Sequence, residues 1–164
     1  MTGLKTLNVA TELLGMPVLD PDTARLHGRV TEAIVNPSMG TLVGLLMETP
    51  SGEERAVAGE GCYFFGKAGA VLTPEHAISN PAKLADHLSA GVAVNRDLLG
   101  AQVVTEKGEE LGYVAEIHLC EERHKFIYRI ARSRLQELWC DSFFIPGRLP
   151  LCWLQGSRQL IVPA

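Results

Sequence analysis

The densest group of side chains that could bind a metal ion lies between residues 118 and 124. It contains two imidazoles, a thiol and two carboxylates, at His118, Cys120, Glu121, Glu122 and His124. On a strand His118 and Cys120 share a face, and the following turn can bring His124 close; imidazole and thiolate are ligands that Zn²⁺ prefers. Hairpin turns are ordinarily hydrophilic as well, so we interpret the group as a polar turn. We therefore predict no bound metal or cofactor.

A second group resembles a phosphate-binding loop but lacks its essential parts. Residues 61–67 match the first seven positions of that pattern, yet Ala68 replaces the Ser or Thr whose hydroxyl holds magnesium. The loop must also lead into a helix whose amides face the phosphates, whereas residues 70–72 read as a strand. We predict no nucleotide site.

Two glutamates, Glu32 and Glu116, could form a pair of catalytic carboxylates. The chain has no Gly-x-Ser-x-Gly elbow, no His-Glu-x-x-His motif and no third group placed to orient a Cys–His pair. We expect instead that each glutamate accepts hydrogen bonds from turn amides or from an arginine. The protein is accordingly predicted not to be an enzyme.

A basic stretch and an aromatic stretch of the second half are candidates for binding a partner. The basic residues could face an acidic protein surface, contact RNA phosphates or protect a solvated strand edge, and the overall negative charge disfavours nucleic acid. Large apolar side chains near a barrel mouth would anchor a partner protein. The residues predicted to bind a partner are Arg123, Lys125, Arg129, Arg132, Arg134, Trp139, Phe143 and Phe144.

The elements that position these side chains occur twice. Leu-Leu-Gly at residues 13–15 returns at 98–100, and Gly-x-Val-x-Glu at 28–32 returns at 112–116. Each copy then continues with apolar segments of strand length separated by turns rich in Pro, Gly and Asp. Several short strands at close spacing predict an all-β fold of two small antiparallel β-barrels in tandem.

The division of the chain follows from the repeat. We predict a first barrel at 1–78, a helical linker at 79–91 and a second barrel at 92–164. The linker begins with Asn80 as N-cap and Pro81 at the first helical position. The segment Leu42 to Met47 is apolar almost throughout, so its outer face is expected to pack against the second copy or against another chain, which would give a homo-oligomer.

Composition places the chain among ordinary globular proteins. It has 164 residues, 46% of them hydrophobic, and a net charge of −4. No apolar run approaches the roughly 20 residues of a membrane-spanning helix, and the first residues lack the pattern of a secretory signal, so we expect a cytoplasmic protein. The four cysteines form no CxxC pair and are expected to be reduced and buried.

The repeated pattern resembles the PRC-barrel family, which is named for the photosynthetic reaction centre. The resemblance rests on Leu-Leu-Gly, the polar turn, Gly-x-Val-x-Glu and a closing apolar strand that ends in Pro74 or Pro163. It implies small barrels used for binding or assembly, as in the reaction-centre H subunit and a ribosome-maturation factor. We therefore expect an adaptor or assembly factor for a protein complex, with a ribosome-associated maturation factor that binds ribosomal protein or RNA as the alternative.

Overall fold

Fifteen strands and a few short helical turns make up the described part of the chain. The computed structural model describes residues 6–65, 69–120, 125–132, 142–146 and 149–163, with the backbone alone at 63–65 and 142. The strands of the first part of the chain are β1 Thr6–Asn8, β2 Pro17–Leu19, β3 Leu26–Asn36, β4 Thr41–Glu48, β5 Glu54–Ala58, β6 Tyr63–Phe65, β7 Ala70–Leu72 and β8 Ile78–Ser79. The remaining strands are β9 Val92–Ala93, β10 Gln102–Thr105, β11 Glu110–Cys120, β12 Lys125–Ala131, β13 Ser142–Pro146, β14 Cys152–Leu154 and β15 Gln159–Val162.

The strand order of the sheet is symmetric about its middle. The hydrogen-bonded path runs β14-β15-β10-β11-β12-β4-β3-β2-β7-β6, so the first five strands of the path correspond, in reverse order, to the last five. We call residues 6–77 the first half and residues 92–163 the second half. The halves meet where Lys125 of β12 pairs with Thr41 of β4, and the amide of Phe126 donates to the carbonyl of Gly40 at 3.1 Å.

The predicted all-β character is confirmed in its coarse form, but the sheet is mixed and open. β2 pairs with β7 in parallel, and β10 pairs with β15 in parallel. The β2–β7 pair is parallel because β5 and β6 run in the same direction, with the turn Gly59–Gly61 bending the chain instead of reversing it. Among the described residues the pairing path does not close on itself, so two separate antiparallel barrels are not what these strands form.

The Leu-Leu-Gly motif makes the same turn in both halves. Gly15 and Gly100 have φ angles of +87° and +82°, a region that glycine enters without steric cost. Their amides donate to the carbonyls of Val30 at 2.7 Å and Val114 at 2.8 Å, which ties each motif to the long strand of its half. The repeat in sequence is therefore a repeat in backbone geometry.

Gly28 and Gly112, which open the second repeated motif, lie where neighbouring backbone comes too close for a side chain. A Cβ at Gly28 would overlap the carbonyl oxygen of Glu48, and one at Gly112 would overlap that of Ala131. Each glycine therefore lets the long strand cross closely over the end of its hairpin partner.

The halves exchange their opening segments. β1 pairs with β11 of the second half, and β9 pairs with β3 of the first half. After β1 the helical turn Val9–Leu13 leads back to the first half, and after β9 the turn Val94–Leu98 leads back to the second. One continuous cluster of buried apolar side chains accordingly runs through both halves.

The apolar strand β4 is covered within the chain. Leu42, Val43, Leu45 and Met47 are all buried. Residues 78–88, which we call the cap segment, comprise β8, the helical turn Pro81–Leu84 and the short helix α1 at Ala85–Leu88. The apolar character of β4 therefore needs no homo-oligomer to explain it.

The cap segment begins as the sequence predicts. The Asn80 side chain accepts from the amide of Ala82 at 3.0 Å, with Pro81 at the first helical position. The division into two domains and a linker at residues 78 and 91 stays a prediction. Within the described residues, no helix has the length and apolar character that a membrane crossing requires.

Candidate functional site

Charged and aromatic side chains collect on the outer face of the second half. On β12, Phe126, Tyr128 and Ile130 are buried, whereas the alternate residues Lys125, Ile127 and Arg129 are half-buried. Strand register places Arg129 between Glu116 of β11 and Phe144 of β13. We call this surface the second-half outer face; its members are Glu116, His118, Lys125, Ile127, Arg129 and Phe144.

One carboxylate organises the charges of this face. The Nε of Arg129 donates to Glu116 Oε2 at 2.8 Å, and Nε2 of His118 lies 3.0 Å from the same oxygen. The hydrogen bond from Arg129 lowers the pKa of Glu116, against the opposing effect of partial burial and with further help from His118. The guanidinium is thereby held in one orientation across the two strands.

The equivalent glutamate of the first half has another role. Glu32 Oε1 accepts from the amides of Asn95 at 2.9 Å and Ala33 at 3.0 Å, and Oε2 accepts from the amide of Arg96 at 3.1 Å. The expectation that these glutamates accept hydrogen bonds from turn amides or from an arginine is confirmed. Glu32 accepts from turn amides, and Glu116 accepts from Arg129.

The difference between the two glutamates traces to a residue outside both strands. Asn8 precedes the first exchanged helical turn, and its side chain accepts from the amides of Ala10 at 3.1 Å and Thr11 at 3.4 Å. The corresponding position before the second turn is Ala93, which has no side-chain acceptor. Glu32 therefore caps the second turn, whereas Asn8 leaves Glu116 free to bind Arg129.

The structure divides the residues predicted to bind a partner. Lys125, Arg129 and Phe144 lie on the second-half outer face, and Arg132 is exposed just beyond the end of β12. Phe143 faces the other way and packs against the core. Three further predicted residues lie outside the described residues: Arg123, Arg134 and Trp139.

Phe144 is the most exposed aromatic side chain in the described part of the chain, at 60%. Its strand neighbour Ile145 is buried at 4%, so the exposure belongs to this position and not to a frayed strand. Sequence reasoning selected the aromatic stretch but gave no means of separating Phe143 from Phe144, because their faces depend on the register with β12.

The predicted metal-binding alternative gains nothing from the described geometry. His118 is engaged with Glu116, and Cys120 is buried at the end of β11. His124 lies outside the described residues. Within the ranges that the structure describes, no three His, Cys, Asp or Glu side chains come together as a metal site.

A cleft between the halves was not found from the sequence. It has a volume of about 620 Å³ and is lined by residues far apart in the chain, among them Asn36, Ser89, Cys152 and Trp153. The indole of Trp153 donates to Gln155 Oε1 at 2.7 Å, and Cys152 is exposed. No pattern in the sequence brings residues 36, 89 and 153 together, so only the fold could reveal this cleft.

Comparison with models of known protein families finds no match, and comparison with curated proteins finds none of significant similarity.

Proposed function

We propose that the protein is a non-enzymatic adaptor or assembly factor that binds a protein partner through the second-half outer face. The observation that carries this proposal is the 60% exposure of Phe144 beside the Arg129–Glu116 pair. Aromatic residues, phenylalanine among them, and arginine are enriched in protein interfaces relative to the rest of the surface. Burying such a ring against a partner contributes about 1.5–3 kcal/mol. A single exposed apolar residue is common on protein surfaces, so it is the position of Phe144 beside an oriented ion pair that supports the proposal.

The arrangement favours recognition over catalysis. Arg129 and His118 both contact the Glu116 carboxylate, so each polar group of the cluster is used in holding the others. A fixed charge pattern of this kind selects a complementary protein surface and guides its orientation.

We also propose kinship with PRC-barrel proteins, in which each half of the sheet corresponds to one copy of the PRC-barrel pattern. In support, both halves contain the same turn at Leu-Leu-Gly, the same glycine crossing at Gly28 and Gly112, and the same order of five strands. Binding and assembly roles in that family agree with a partner-binding surface here.

The alternative, a ribosome-associated maturation factor that binds ribosomal protein or RNA, has weaker support. RNA binding depends on basic groups that neutralise phosphates, and it weakens as salt rises. Arg129 already has Glu116 as its partner, and the ammonium of Lys125 donates to the carbonyl of Met39 at 3.4 Å.

Quantitative capture from an extract of the native organism tests the proposal. Immobilised wild-type protein is compared with Phe144→Ser and with the matched control Leu26→Ser, which removes an exposed apolar side chain (41%) from the first half. We expect Phe144→Ser to reduce recovery of a specific partner about tenfold or more and Leu26→Ser to leave it unchanged. Equal recovery by the three proteins would contradict the proposal. Loss of the partner after nuclease treatment would favour the RNA alternative.

A further inference from the structure

Strand β8 of the cap segment covers the edge of β5 that faces away from β4. Ala56 pairs with Ser79 and Val57 pairs with Ile78, in antiparallel register. Both β5 residues are buried, Ala56 at 0% and Val57 at 1%. The edge of β5 is thereby removed from solvent by the chain itself.

Strand β13 occupies in the second half the place that β5 has in the first. Ala56 of β5 pairs with Leu46, the residue opposite Glu32, whereas Phe144 of β13 pairs with Arg129, the residue opposite Glu116. Phe144 is thus the counterpart of Ala56, and buried Ile145 is the counterpart of Val57. Among the described residues β13 pairs with β12 alone, so no described strand lies along its other edge.

The exposed fraction of the side chain differs widely between Ala56 and its counterpart Phe144. A position that is fully buried beneath β8 in the first half has a phenylalanine 60% exposed in the second. An open strand edge offers backbone donors and acceptors to an extended segment, and natural proteins usually cover or charge such an edge. An edge that is instead lined by a large apolar ring is suited to receiving another strand.

We propose that the edge of β13 that faces away from β12 accepts an extended segment of the partner protein as an added antiparallel strand, in the place that β8 takes on β5. This inference rests on the proposed function, because it describes how the same partner binds. Backbone hydrogen bonds supply affinity in this mode, and alternate side chains supply specificity.

The first half indicates the chemistry of the partner segment. Ile78 of the cap segment packs against the core beside β5, and α1 then places Leu88 over Gly44 on the outer face of β4. In that register an aliphatic residue of the partner segment pairs with Ile145, as Ile78 pairs with Val57, and a second one packs on the outer face, as Leu88 does in the first half. Among the described residues of this surface the two basic groups, Lys125 and Arg129, outnumber the single carboxylate of Glu116, so acidic residues are favoured in the part that follows.

A second copy of this chain is a less favourable occupant. Antiparallel pairing of two β13 edges would bring the basic groups of β12 from both copies to the same face, where like charges repel. Pro146 at the end of β13 has no amide hydrogen to donate, which keeps the ladder short. A short ladder suits a peptide segment better than a stable dimer.

The first experiment extends the protein by a segment that can pair with the edge of β13. A copy of residues 76–90 is added after Ala164, because Pro163 corresponds to Pro74 and the copy then follows the closing strand as the original does. Amide hydrogen exchange is measured at residues 143–145. We expect it to slow about tenfold or more relative to the unextended chain.

The control extension has Ile78→Pro and Ser79→Pro in the copy only, which removes the pairing amides and should leave exchange at β13 unchanged. Equal exchange with both extensions would overturn the proposal.

The second experiment uses the partner recovered with the wild-type protein, and it separates this inference from the proposed function. Slower exchange at residues 143–145 in the complex supports strand addition. If Phe144→Ser releases the partner but exchange at β13 does not change on binding, strand addition is wrong and the proposed function stands. If Phe144→Ser has no effect, the proposed function fails first. Protection of β13 in a dimer of the protein alone would overturn the choice of a partner segment.

Discussion

Glu32 on β3 accepts a hydrogen bond at 2.9 Å from the backbone amide of Asn95, 63 residues further along the chain. The carboxylate thereby caps the helical turn Val94–Leu98, which opens the second half. β9 pairs with β3 of the first half and β1 pairs with β11 of the second, so each half binds the opening strand of the other. The glutamate is thus part of the joint between the halves.

Replacing Glu32 should weaken the whole protein. Glu32→Ala removes the acceptor that caps the amides of Asn95 and Arg96, which we expect to reduce the free energy of unfolding by about 0.5–2 kcal/mol. The control Glu116→Ala removes a half-exposed ion pair and should cost about 1 kcal/mol or less. Urea denaturation of the two variants measures the difference. A loss from Glu116→Ala equal to that from Glu32→Ala would contradict the capping role.

The sequence repeat predicted the structural features that depend on nearby residues. Gly15 and Gly100 have a positive φ, and Gly28 and Gly112 permit a close backbone crossing. Each of these features requires a glycine, and the repeated glycines can be recognised in the sequence. The same holds for the alternating burial along β12. Such features depend on a few neighbouring residues, and they could be predicted.

Features that depend on contacts across the sheet could not be predicted. The exchange of β1 and β9 follows from which strand each two- or three-residue segment pairs with, and such short segments have no distinctive pattern. The turn Gly59–Gly61 looks like any hairpin turn in the sequence, yet it leaves the chain direction unchanged. Strand register likewise decided that Phe144 faces solvent while Phe143 faces the core.

Alanine replacements of three glycines should rank by steric cost. Gly112→Ala places a Cβ against the Ala131 carbonyl at a φ of +143°, so we expect a loss of about 2–4 kcal/mol in the free energy of unfolding. Gly28→Ala meets the Glu48 carbonyl without that backbone strain and should cost about 1–3 kcal/mol. Gly156, with nothing within 4 Å, should change by about 0.5 kcal/mol or less. Thermal denaturation tests the order, and a destabilised Gly156→Ala would argue against it.

Burial should make Cys62 unreactive and its contribution to stability dependent on pH. Desolvation raises the pKa of the Cys62 thiol to about 12, whereas Cys152 is exposed. Iodoacetamide at pH 8 should therefore label Cys152 in the folded protein and leave Cys62 unlabelled, as peptide mass spectrometry can show.

The stability effect of Cys62 appears at high pH, because its folded pKa lies above the unfolded value of about 8.5. Below that value both states hold the proton; above it the unfolded thiol ionises first, so stability falls as pH rises toward 12. Relative to Cys62→Ser, wild type should lose on the order of 1 kcal/mol per pH unit between 9 and 11. A constant difference between the two proteins over that range would show that the thiol is not shielded.

Titration of Glu116 tests whether the second-half outer face is organised as described. The hydrogen bond from Arg129 is the largest cause of the lowered pKa of Glu116, and His118 contributes less. Because the folded pKa is below the unfolded value of about 4.3, the pair stabilises the fold above that pH, and the contribution is lost as pH falls through the folded pKa. Carboxyl carbon shifts should therefore show a larger rise in the pKa of Glu116 for Arg129→Gln than for His118→Gln. The opposite order would mean that the imidazole, not the guanidinium, is the main partner of the carboxylate, and the described organisation of this face would be wrong.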